Sequence, residues 1–211
     1  MLLSAERHLL YPAEPFKLIV FNAPARQGKD TAAKYLGKLY DSPPLSFAEP
    51  LKLATHAAFG LYDVLGRPTP WDTYEECKDI PSLDFYGHTP REAYINHAEK
   101  YFKPLYGRGV YADLLLRRLK PLHSTYCGII SDLGFIEELT TLINGIGAEN
   151  ILLIRLHRTG GNTLKDSRCY LHSEAVQAVD ITSGNVGDLK KQVRQVALSF
   201  QPLKPILREI S

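Results

Sequence analysis

The run Lys17-Leu18-Ile19-Val20-Phe21-Asn22-Ala23-Pro24-Ala25-Arg26-Gln27-Gly28-Lys29-Asp30-Thr31 decides how the rest of the chain is read. Residues 17–22 are a continuous apolar stretch, the kind buried on both faces of a parallel sheet. A loop containing Pro and Gly follows. Residues 28–40 then carry Ala32, Ala33, Leu36 and Leu39 at helical spacing. A strand, a turn with Gly28-Lys29 and a helix in direct succession form a phosphate-binding loop. Backbone N–H groups converge on phosphate oxygens at the helix N-terminus. Gly28 permits close approach, and Lys29 reaches the β/γ-phosphates as a point charge. Ala25, Arg26, Gln27, Gly28, Lys29, Asp30 and Thr31 are therefore the expected nucleotide-phosphate contacts. Ala23 stands where a first glycine is usual, and Asp30 where Ser or Thr usually meets Mg²⁺. Either Asp30 or Thr31 supplies the metal's shell, directly or through water.

Outward from this run, strands and helices alternate. A short segment at 45–47 and a helix over 49–59 precede residues 60–90, which are rich in Pro, Gly and aromatics and read as irregular, with a short helix around 72–78. Thr89-Pro90-Arg91-Glu92 is a helix start, with Thr89 as cap and Pro90 in the first turn; that helix runs to Lys100 or Phe102. Next come an amphipathic helix over 110–119, a strand over 128–131, a helix over 135–146 and a strand over 150–156. Residues 157–168 are polar and Gly-rich, a loop composition. A strand at 180–182 and a helix over 187–198 complete the pattern. It predicts an α/β parallel sheet with helices on both faces. The core takes in about 17–60 and 120–200, a helical insert about 60–120, and a short lid about 157–172. Inserts of this kind lie above the carboxyl ends of the strands, where ligands bind.

Hydrophobic residues at 45% and charged residues at 23% exclude a disordered or coiled-coil chain. A net charge of +2 supplies no whole-protein field for nucleic acid. Cys77, Cys127 and Cys169 are far apart and lack a CxxC pair, which fits a reducing compartment rather than a disulfide or zinc framework. No apolar run reaches the ~20 residues of a membrane span, and the first residues lack a signal-peptide pattern. A cytoplasmic protein without membrane contact is expected.

The Gly28-Lys29-Asp30-Thr31 segment after such a strand resembles the deoxynucleoside monophosphate kinase family of bacteriophages. In the same order, Leu45-Ser46-Phe47-Ala48-Glu49-Pro50-Leu51-Lys52 resembles that family's FADPLK segment, Thr89-Pro90-Arg91-Glu92 its SPRE helix start, and Tyr111-Ala112-Asp113-Leu114-Leu115 its WVDLL. Ile129-Ile130-Ser131-Asp132 with Glu137-Glu138 resembles VITDVRFPNE, and His172-Ser173-Glu174 and Asp180-Ile181 are similar to its last segments. The resemblance spans about residues 17–198. Three details depart from it: Gly134 replaces an Arg, His97-Ala98-Glu99 replaces a GTE piece, and the histidine motif is one residue short. The resemblance implies a P-loop kinase fold with a helical acceptor-binding insert and a short lid. It also implies ATP- and Mg²⁺-dependent phosphorylation of a deoxynucleoside 5′-monophosphate.

Phosphoryl transfer depends on positioning and charge neutralisation. Lys29 bridges donor phosphates. Arg26 contacts the transferring phosphoryl or the acceptor phosphate, or else is a solvated loop residue. Asp132, at the end of its strand, orients a Mg²⁺ water or the acceptor, or caps the next helix. By resemblance Lys52 and Arg91 face the acceptor phosphate; for Lys52 a solvated helix face is the alternative. Arg158, beside Thr159-Gly160-Gly161, is the preferred lid arginine over Arg155 and Arg168. Trp71, Tyr74, Phe85 and Tyr86 either stack a base or pack the insert. The seven histidines show no metal-ligand spacing. The partner expected is a small-molecule nucleotide. A kinase acting on 5-hydroxymethyluracil in phage DNA, with Arg108, Arg117, Arg118 and Lys120 lining a channel, is an alternative. A nucleotide-binding protein without transfer activity is a second. Oligomeric state is left open.

Overall fold

Lys17–Asn22 forms β1, and every residue after Lys17 in it is buried. A computed structural model describes residues 16–119, 127–159 and 170–200 of the chain. Arg168, Cys169, Lys120, most of the expected lid and the N-terminal residues 1–15 lie outside them. β1 pairs in parallel with β2 (Cys127–Leu133) on one side and β3 (Ile151–Arg158) on the other. β4 (Gln177–Ser183) adds to β3, so the described sheet runs β2-β1-β3-β4, all parallel and flanked by helices. Beyond β2, Leu45 makes a parallel bridge to Ile130, with its N–H on the Ile129 carbonyl at 2.7 Å. The apolar runs predict each strand, and β2, β3 and β4 extend a residue or more past their predicted ends.

Strand order places the carboxyl end of β1 where the sheet's connectivity reverses, because β2 lies on one side and the next strand, β3, on the other. Such a switch point opens a crevice in parallel α/β sheets. α1 (Lys29–Leu39) starts there, and Ala32, Ala33 and Leu36 pack with Ile19 and Phe21 in one core. The helices after β2 and β4 are α6 (Ile136–Ile146) and α7 (Val186–Phe200), and α7 contributes Leu189, Val193 and Ala197 to the same core. Gly37 lies inside α1 because the chain returns past it. A Cβ there would sit 2.8 Å from the Ser42 carbonyl oxygen and 2.9 Å from the Pro44 ring.

Residues Phe47–Leu115 make a second compact unit. It holds α2 (Ala48–Ala58), α3 (Pro90–His97), α4 (Lys103–Tyr106) and the start of α5 (Val110–Leu119). Its small core gathers Phe85, Ala93 and Tyr94, with Leu51, Phe59, Leu61 and Tyr74 against them. Thr89 caps α3 as its spacing predicts: its hydroxyl accepts from the Glu92 N–H at 3.1 Å, and Glu92 accepts from the Thr89 N–H at 2.9 Å.

Two expectations are corrected in this unit. Residues 72–78 form successive turns closed by bonds such as Thr73 N–H to Pro70 oxygen, not a helix. The bonds that close these turns span three residues, as in Glu75 N–H to Asp72 oxygen and Ile80 N–H to Cys77 oxygen, a tighter winding than the four-residue ladder of an α-helix. The helix from Pro90 does not end at Lys100 or Phe102. It passes through a π-helical turn, Ala98–Phe102, into α4. Pro104 explains the wide turn, since its ring lacks the N–H that would reach the Lys100 carbonyl and would clash with it in an α-turn.

Candidate phosphate site

The loop between β1 and α1 is built from alternating backbone hands. Arg26 has φ 63° and Gly28 φ 95°, both left-handed, with Gln27 between them. Alternation of this kind turns successive N–H groups to one side and makes an anion-binding concavity. The N–H groups of Arg26, Gln27, Gly28, Asp30 and Thr31 have no protein acceptor among the described residues. They open at the N-terminus of α1, where the helix dipole favours negative charge. The positive φ favours glycine at position 28, and a Cβ there would also press on Leu189 Cδ2 of α7 at 3.0 Å.

Lys29 is only 7% exposed, and its ammonium donates to the Ala23 oxygen at 2.5 Å and the Pro24 oxygen at 2.7 Å. A buried cation needs such partners. They fold the side chain back along its own loop, beside the concavity.

Buried and half-buried polar groups tie the loop and its neighbouring segments to the sheet. Asn22, fully buried, donates to the Leu133 oxygen at 3.1 Å and accepts from the Leu171 N–H at 2.9 Å. Gln27 accepts from the Arg158 N–H at 2.7 Å. Asp132, near the end of β2, accepts from the Ser46 hydroxyl at 2.7 Å. Asn22 thus joins the end of β1 to that of β2, and Gln27 joins the loop to the end of β3, so that Asp132 and Arg158 stand on strands to either side of β1. The side chains of Arg26, Asp30 and Arg158 are exposed, and Thr31 is half-buried.

Arg155 has a structural post. It pairs bidentately with Asp180 at 2.9 and 2.5 Å and donates to the Leu171 oxygen at 3.1 Å. His157 reaches the same carboxylate at 2.7 Å and stacks on Tyr170. The Arg155 hydrogen bond, with help from His157, holds the Asp180 carboxyl below its ordinary range. Of the lid arginines, Arg158 has its backbone tied to Gln27 and an exposed side chain, and Arg168 lies outside the described residues.

Lys52 and Arg91 belong to the second unit, and each faces a carboxylate. Lys52 pairs with Glu75, its ammonium 4.8 Å from the centre of the Trp71 ring. Burial pushes the Glu75 carboxyl up, but hydrogen bonds from Lys52 and Lys78 outweigh it and leave the carboxyl below its ordinary value. Arg91 grips Asp79 at 2.5 and 3.2 Å, which lowers that carboxyl too. An acceptor phosphate at either cation would replace a carboxylate.

Sequence reasoning missed the roles of Asn22 and Ser46 and the pairing of Arg155, weighed there only as a lid arginine, with Asp180 and His157. Only Asn22 left a signal, an amide closing an apolar strand.

Among the described residues no three His, Cys, Asp or Glu side chains gather as a metal cluster. Mg²⁺ asks less, usually one or two carboxylates beside substrate phosphates. Asp30 and Thr31, in the first turn of α1, and Asp132, near the end of β2, carry hard oxygens of the kind Mg²⁺ takes. Burial pushes the Cys127 thiol up to about 12, so it is inert. No helix among the described residues is long and apolar enough to cross a membrane.

No known family profile matches the chain, and no curated protein matches it. Among solved structures, an unliganded sugar kinase from Janibacter sp. HTCC2649 is similar to it, with TM-score 0.45 and 13% identity. The likeness covers 90% of this chain and 97% of that one. At that level it carries no argument about activity.

Proposed function

We propose that the protein is an ATP- and Mg²⁺-dependent phosphotransferase whose acceptor is a deoxynucleoside 5′-monophosphate. The observation that carries the donor half is the left-handed pair Arg26 and Gly28, which turns unpartnered N–H groups toward one point beside Lys29. That point lies at the switch point of a parallel sheet. The acceptor half rests on the resemblance set out above.

In this reading the N–H groups of the loop bind the donor's phosphates, and Lys29 exchanges two carbonyl partners for phosphate oxygens. Arg26 neutralises charge on the transferring phosphoryl. Asp30 or Thr31, with Asp132, would hold Mg²⁺, which would offset the charge of the phosphates. Ser46 orients Asp132 through its 2.7 Å hydrogen bond. Arg158 reaches the phosphoryl from the β3 side. Lys52 and Arg91 take the acceptor phosphate after releasing Glu75 and Asp79. Little covalent help is required, because such transfer is driven by positioning and electrostatics.

The test is ADP release with ATP and Mg²⁺ against the common deoxynucleoside monophosphates, 5-hydroxymethyl-dUMP, and DNA with and without 5-hydroxymethyluracil. Turnover on free monophosphates is expected, with Lys29→Ala lowering kcat by about 10²–10³ or more. Turnover only on modified DNA would keep the loop chemistry and replace the acceptor. ATP binding without ADP release on any acceptor would defeat the proposal.

A further inference from the structure

A cleft of about 500 Å³ lies wholly within the Phe47–Leu115 unit, a size typical of small-molecule sites. Ala58 and Phe59 line it from the end of α2. Ala93, Asn96, His97, Lys100 and Tyr101 line it from α3 and the π-helical turn that follows. Turns of that kind recur at functional sites. None of the residues given to phosphates or Mg²⁺ above takes part in this lining.

Hydrogen bonding does not select a ligand here. His88, His97, the Asn96 carboxamide and the Tyr101 hydroxyl can each donate or accept, so they suit many partners. Charge and ring surface do select. Among the described residues no carboxylate lines the cleft, and Lys100 brings it a permanent positive charge. Lys100 also has no ion-pair or hydrogen-bond partner among them, since the adjacent Glu99 pairs with Lys103 instead. Glu92, 3.8 Å from His88, is already engaged by the Thr89 N–H in the α3 cap. Ring surface comes from Tyr101 and from Phe59, whose ring is braced by Phe85 and Tyr86 at 5.2 and 6.0 Å between centres. Offset and edge-to-face rings attract one another beyond the area they bury.

We propose that this cleft binds a small aromatic carboxylate, a planar ring that carries one negative charge. The ring lies against Phe59 and Tyr101, and the carboxylate meets the Lys100 ammonium. No acid has to leave Lys100 first, whereas an anion at Lys52 or Arg91 would displace Glu75 or Asp79.

Titration calorimetry of the full chain tests it with indole-3-acetate as the probe, indole-3-acetamide as its uncharged counterpart and hexanoate as an anion without a ring. Indole-3-acetate is expected to bind saturably. The amide should be about 5-fold weaker, the worth of a solvent-accessible ion pair, and hexanoate at least as weak for want of ring contacts. Lys100→Met keeps the apolar stem and removes the charge at an exposed position. It should bring acetate and amide to equal affinity with an unchanged melting temperature. Ala58→Trp, also at an exposed position, should fill the cleft and abolish binding of both. No saturation by indole-3-acetate, equal affinity for the amide or hexanoate, a preference for acetate that survives Lys100→Met, or unaltered binding by the Ala58→Trp protein would overturn the assignment.

Discussion

Arg26 holds a left-handed backbone, which costs a residue with a Cβ roughly 1–2 kcal/mol. Glycine adopts that conformation freely. Arg26→Gly should therefore raise the stability of the protein, by up to about 1 kcal/mol after the extra unfolded-state entropy of glycine is counted. The same change should slow phosphoryl transfer if the guanidinium neutralises the phosphoryl. Thermal melting and ADP release on one preparation check both halves, and a variant that is more stable and fully active would remove Arg26 from the site. At this scale the sequence was informative about Gly28 and Lys29, because a turn into a helix dictates both. Their clamps were silent: the Gln27 amide meets the Arg158 N–H across a gap of 131 residues in the chain.

At the scale of elements, α1 sets helix propensity against close packing. Alanine is better than glycine inside a helix by about 1 kcal/mol. At position 37, however, its Cβ would press on a backbone oxygen at 2.8 Å. That backbone cannot shift freely, since Ser42 donates to the Cys127 oxygen at 2.8 Å and Leu45 is bonded to β2. Overpacking wins, and Gly37→Ala should destabilise by about 1–3 kcal/mol in a denaturant titration. A stabilised variant would show that the 42–45 segment moves freely. The path of that segment was not legible from residues 41–47. Nor was the π-turn, although Pro104 explains it afterwards, because a proline that breaks a helix and one that widens it look alike in sequence.

For the molecule as a whole, the two compact units differ in how acid should affect them. His56 is fully buried in the Phe47–Leu115 unit, with Nδ1 2.7 Å from the Thr69 oxygen and Nε2 2.8 Å from the Tyr94 hydroxyl. The carbonyl requires an N–H at Nδ1, so Nε2 accepts from Tyr94 and the ring is neutral. Burial pushes its pKa below the ordinary value, and that of His97 likewise. A histidine depressed in the folded state contributes its full stability above the unfolded pKa of about 6.5 and loses it progressively as pH falls below that value. Trp71, the single tryptophan, lies in the same unit and reports its unfolding. The urea midpoint read from its fluorescence should therefore drop between pH 7.5 and 5.5, a range above ordinary carboxylate titration. A midpoint constant over that range would show that His56 and His97 are solvated.

Local physics explains what the sequence determined by itself. Apolar runs without alternation called for a buried parallel sheet, Thr89-Pro90 with Glu92 called for a capped helix, and Gly28-Lys29 after a strand called for a turn into a helix N-terminus. Each depends on neighbours within a few residues. Tertiary structure alone decided that β1 sits between β2 and β3, that Asn22, Gln27 and Ser46 tie the loop region together, and that Arg155, Lys52 and Arg91 are each held by a carboxylate. Those outcomes depend on partners distant in the chain, and charge or burial at one position does not reveal which partner the fold will bring to it.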